Sequence, residues 1–105
     1  MRDYELMVVL DPNLEDASID AISERLAAVV GQRGGAVDSI EPWGRRRLAY
    51  PIGRFRDGIY LLCRLTMGPD AATDVERMLR LNEGVLRHLL VRPQDTPAVA
   101  AAAGA

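Results

Sequence analysis

Apolar positions along this chain change their period several times, and each change marks an element. In "YELMVVL", Tyr4 to Leu10, a short run rich in β-branched residues is closed by "DPN", which predicts a strand ending in a turn. From Glu15 to Arg33 the apolar residues Ile19, Ile22, Leu26, Val29 and Val30 fall at helical spacing, with Asp16, Asp20 and Glu24 on the opposite side. Gly34-Gly35 ends that helix. "AVDSIEPWGRRRLAYPI" reads as a long, irregular strand, in which Pro42 and Gly44 predict a bend or bulge and an edge position. "GRFRDG" reads as a hairpin loop and "IYLLCRLTM" as the strand that returns from it. "GPD" then opens a second helix with Asp70 as its cap and Ala72, Val75 and Leu79 as its stripe. "NEG" closes it, and "VLRHLLVR" is a final strand.

The order βαββαβ is the split βαβ pattern of an α+β, ferredoxin-like domain: a four-stranded antiparallel sheet with both helices on one face. Period-two alternation points Leu6, Val8 and Leu10, with Leu61, Cys63 and Leu65, toward the helices. Glu5, Met7, Val9, Tyr60, Leu62, Arg64 and Thr66 fall on the other face, which this architecture leaves open. Leu89 and Val91 join them in one register of the last strand, whose apolar residues occupy both phases. A face holding Met7, Val9, Tyr60, Leu62, Leu89 and Val91 is too apolar for a solvated surface and marks a partner-protein interface, unless the tail or the bent second strand covers it. The domain spans residues 1–92. Residues 93–105 form an Ala- and Pro-rich tail with little to bury, expected to be poorly ordered in isolation.

A chain of 105 residues supports one core, and 49% hydrophobic with 27% charged residues indicates a folded protein. Its apolar runs fall short of the ~20 residues of a membrane helix, so no membrane partner is implied. "MRDYELMVVLDP" lacks the features of a signal peptide, and the single Cys63 suits a reducing compartment, so a cytoplasmic location is expected.

Charge changes the picture more. The formal net charge is −2, yet residues 1–41 carry nine acids against three arginines, while residues 42–67 carry six arginines against Asp57 alone, a net of +5. Five of the thirteen arginines fall between Arg45 and Arg56. Arg45, Arg46 and Arg47 are consecutive and alternate faces on a strand, so they cannot all pack inward. Arg54 and Arg56 fall in the expected loop, and Trp43, Tyr50 and Phe55 are interleaved. Guanidinium groups bond phosphate, and neighbouring rings can stack on an unpaired base, so the cluster reads as a nucleic-acid contact. The bland alternative is a solvated loop whose arginines pair with the acids of residues 1–41.

"MRDYELMVVLDPNL", "WGRRRLAYPIGRFRDGIYLLCRL" and "LRLNEGVLRHLLV" together resemble the bacterial small-subunit ribosomal protein number six family over residues 2–92. The most specific piece is "GRRRLAYPI", Gly44 to Ile52. The resemblance implies a non-enzymatic ribosomal protein that pairs with small-subunit ribosomal protein number eighteen and binds the central domain of small-subunit ribosomal RNA. It also implies RNA contacts at Arg2, Arg46, Arg47 and Tyr50, to which Arg45, Arg54 and Arg56 are added by proximity. The tail carries no acidic run.

Enzyme and sensor readings fit the residues less well. An acylphosphatase of this topology needs a glycine-rich basic loop after the first strand, where this chain has the acidic "LDPNLED". His88 and Cys63 are each alone, short of a catalytic or metal-binding constellation. A metabolite-sensing module leaves the arginines unexplained, and an RNA-recognition motif would place more aromatics than Tyr60 on the middle strands. No small-molecule substrate, cofactor or metal is therefore implied.

Overall fold

The computed structural model describes residues 1–93; the remainder of the expected tail lies outside the described residues. The elements follow in the order β1 (Arg2–Leu10), α1 (Asp16–Gln32), β2 (Ala36–Ile52), β3 (Phe55–Met67), α2 (Pro69–Leu81) and β4 (Val85–Val91). The strands form one antiparallel sheet in the order β2-β3-β1-β4. This is the ferredoxin-like arrangement that the periodicity predicts. Among the described residues no helix is long and apolar enough to cross a membrane.

Local chemistry explains the helix ends. At the end of α1, Gly34 adopts φ 76°, its N–H donates to the Gly31 carbonyl, and the Gly35 N–H donates to the Val30 carbonyl. This paired closure uses carbonyls the helix would otherwise leave unbonded, and it depends on glycine in the left-handed region. For α2, Gly68 and not Asp70 occupies the capping position; Pro69 follows at the first turn. Asp70 lies inside that turn without a capping hydrogen bond. Its charge instead faces the positive end of the helix dipole.

The main core lies between sheet and helices. Leu6, Val8 and Leu10 of β1 and Leu61, Cys63, Leu65 and Met67 of β3 meet Ile22, Leu26 and Val30 of α1 and Val75, Met78 and Leu79 of α2. The expected α2 stripe shifts slightly, because Ala71 is buried and Ala72 only half-buried. Each fully buried Leu or Val contributes about 1.5–3 kcal/mol relative to exposure. Arg33, which caps the C-terminal end of α1, ties the helices together through a 2.9 Å ion pair to Asp74 of α2.

On the opposite face the second of the two expected outcomes holds in part: the bent second strand covers the apolar residues. Met7, Val9, Tyr60 and Leu62 are buried, at 3–6% exposure, and form a second apolar cluster. Trp43 and Leu48 of β2 and Leu86, Leu89 and Val91 of β4 pack against it. β1 is consequently buried on both sides, which is why its sequence is apolar on both phases. The register of β4 also becomes definite: Leu89 pairs with Met7, Arg87 with Val9 and Val91 with Glu5.

Candidate nucleic-acid interface

The β2–β3 hairpin outgrows the rest of the sheet. Pairing of β1 with β3 stops at Leu10–Ile59, whereas β2 and β3 continue through Arg45–Ile59, Arg46–Gly58, Arg47–Asp57 and Ile52–Phe55. Residues 45–58 therefore form a two-stranded ribbon projecting past the end of β1. It turns at Gly53, φ 56°. The loop is shorter than "GRFRDG" suggested: Arg54 lies in the turn, but Arg56 is already in β3.

All five arginines of the cluster thus occupy this ribbon, and all are exposed. Arg45 is the one bound to an acid, with Nη2 3.3 Å from Asp57 Oδ2. Among the described residues, Arg46, Arg47, Arg54 and Arg56 have no carboxylate within ion-pair distance. Neutralisation by the acids of residues 1–41 does not occur at the ribbon; Glu41 pairs instead with Arg64, at 3.8 Å. Arg47 and Arg56 share a shallow depression with Leu48, Ala49, Tyr50 and Pro51.

Arg2 stands apart. It pairs with Met67, at the end of β3 farthest from the ribbon, while Ile59 begins the ribbon end. Eight residue steps at about 3.4 Å each separate the two levels by roughly 27 Å. Around Arg2 the surroundings are acidic: the Thr66 hydroxyl bonds Asp38 at 2.6 Å and Asp3 at 3.3 Å. Any contact Arg2 makes is separate from the ribbon.

The interleaved rings are already engaged. Arg46 lies over Trp43 at 5.2 Å, Arg54 over Phe55 at 5.3 Å, and Arg87 over Tyr50 at 5.8 Å. Arg87 Nη1 also donates to the Tyr50 hydroxyl at 2.9 Å, joining the ribbon to β4 across the sheet face. A cleft of about 40 Å³ remains beneath, lined by Met7, Val9, Leu48, Tyr50, Tyr60 and Leu89 among others. Nothing in the sequence pattern marks Arg87, since only the β1–β4 register brings it within reach of a residue 37 positions away.

Cys63 is part of the core. Burial pushes its thiol up to about 12, so at neutral pH it is an uncharged, small apolar side chain and not a nucleophile.

A small α+β domain presenting a basic β-ribbon is the class that fold and site define. The model of the family described as ribosomal protein S6 matches residues 3–92. The chain is 48% identical over 93 residues to small ribosomal subunit protein bS6 of Acidothermus cellulolyticus, covering 89% of this chain and 97% of that protein. It is 44% identical to its counterpart in Beutenbergia cavernae, with the same coverage. The crystal structure of 30S ribosomal protein S6 from Thermotoga maritima superposes with a TM-score of 0.81 at 25% identity, covering 99% of this chain and 98% of that one. The chain belongs to the ribosomal protein S6 family: it is a structural protein of the small ribosomal subunit and not an enzyme.

Proposed function

We propose that this protein binds the central domain of small-subunit ribosomal RNA together with small-subunit ribosomal protein number eighteen, in the cytoplasm. The observation that carries this reading is the ribbon, where four exposed arginines, without carboxylate partners among the described residues, project from an otherwise acidic chain. Charge-assisted bonds to phosphate hold position without reading base sequence. Arg45, Arg46, Arg47, Arg54 and Arg56, with Tyr50 at the ribbon's edge, supply this grip, and Arg2 makes a second contact at the far end of the sheet. Repulsion from residues 1–41 opposes RNA binding by the isolated protein. A basic partner offsets it, so heterodimer formation precedes RNA binding.

The partner docks on the sheet side opposite the helices. Met7, Val9, Tyr60 and Leu62 form the buried floor there, and Leu89 and Val91 the accessible rim. Residues 1–92 act as the binding domain, with 93–105 as an appended tail. Substitutions at Leu62 would test the fold, so the interface is tested at the rim: Leu89→Asp and Val91→Asp together should abolish partner binding. Retained binding places the interface elsewhere.

The RNA contact is tested with Arg46→Ala plus Arg47→Ala. The slope of log affinity against log salt should flatten by roughly 0.7–0.9 for each arginine–phosphate bond removed. An unchanged slope rules out phosphate contact by these two side chains.

A further inference from the structure

We propose that Trp43 is a positioning residue for RNA binding: it holds the Arg46 guanidinium in place for phosphate and does not itself stack on a base. This rests on the reading of the ribbon as a phosphate contact. Strict alternation would put residues 43 and 46 on opposite faces of β2. One extra residue between the pairs Pro42–Leu61 and Gly44–Tyr60 makes a β-bulge at Trp43, with Gly44 at φ 76°. The bulge brings Trp43 and Arg46 to one side of the strand.

Two contacts then fix the arginine. Its guanidinium lies over the indole at 5.2 Å, and its Nε donates to the Trp43 carbonyl at 3.2 Å. Among the described residues neither terminal nitrogen has a hydrogen-bond partner, which leaves both to bond a phosphate. The indole packs against the Met7–Val9–Tyr60–Leu62 cluster, so Arg46 is held relative to the sheet and not merely to the ribbon. An arginine ordered in advance loses less rotamer freedom on contact with RNA. Arg54 over Phe55 repeats the pairing at the turn without the backbone bond.

The test measures binding to full-length small-subunit ribosomal RNA, with small-subunit protein number eighteen present, across a salt series. Trp43→Leu should weaken binding about two- to five-fold with little change of salt slope, since Arg46 still reaches phosphate but is less ordered. Trp43→Phe, which keeps a ring under the guanidinium, should bind within about twofold of the parent. In an Arg46→Ala background, Trp43→Leu should have no further effect. An equal loss from Trp43→Leu in both backgrounds, or no loss in either, overturns the proposal. If Trp43→Leu does not fold, Trp43→Phe alone decides: loss as large as that of Arg46→Ala means the indole contacts RNA directly, while parent-like binding supports the proposal. Should Arg46→Ala itself leave affinity and slope unchanged, the phosphate reading falls; if Arg46→Ala weakens binding while Trp43→Leu does not, only the positioning role falls.

Discussion

Gly58 sits where the four-stranded sheet gives way to the ribbon, opposite Arg46, and its replacement by alanine should destabilise the fold through one contact. A Cβ at this position would lie 2.5 Å from Val9 Cγ1, 3.4 Å from the Leu10 carbonyl oxygen and 3.5 Å from Leu48 Cδ2. The first of these is far inside contact distance, and Val9 cannot simply swing away, being 5% exposed within the second apolar cluster. Overpacking of this kind costs about 1–3 kcal/mol. Gly58 is not in the left-handed region, so alanine gains about 0.4–1 kcal/mol by restricting the unfolded chain. The balance is a loss of about 1–2 kcal/mol, lowering Tm by about 5–10 °C. Urea and thermal unfolding of four proteins check it: the parent, Gly58→Ala, Val9→Ala and the double variant. Because Val9→Ala removes the clashing methyl, Gly58→Ala should be neutral or slightly stabilising in that background. An equal penalty in both backgrounds would refute the reasoning and move the cause to the backbone.

Arg87→Ala should release the ribbon from β4 by removing the 2.9 Å bond to Tyr50 and the stack over its ring. Hydrogen exchange should then quicken about two- to five-fold at ribbon amides and stay unchanged in the helices, whereas a uniform change would mean general destabilisation. Asp57→Asn frees Arg45 from its 3.3 Å partner, so RNA affinity should rise and its salt dependence steepen by up to about 0.9; a shallower slope contradicts this. Native Cys63 should resist alkylation at pH 8 and react fully in denaturant. Burial raises its thiol to about 12, above its unfolded value, so its contribution to stability is complete at neutral pH and is lost as the pH rises toward about 12.

Repetition along the chain makes the elements legible. Five apolar residues at helical spacing mark α1, and period two on β1 and β3 separates Leu6, Val8 and Leu10 from Met7 and Val9. Helix capping is harder to read. An Asp near a helix start resembles a cap, but Gly68 takes that position because Pro69 fits the first helical turn.

At the site, chain order dictates which residue types cluster: five arginines and three rings fall within a single hairpin. What each of them can touch is settled by the assembled sheet. The bulge at Trp43 overrides alternation and puts Arg46 over a ring that would otherwise face away. Antiparallel pairing sends Arg2 to the opposite end of the sheet, although it opens the strand that neighbours β3. Whether the second strand covers the face opposite the helices is left open by the sequence; Trp43 and Leu48 bury its centre while Leu89 and Val91 stay half-exposed, because ribbon curvature and strand register are set by packing between distant segments. Period and composition report on neighbours a few residues apart; contacts such as Tyr50 with Arg87 exist only once the sheet has assembled.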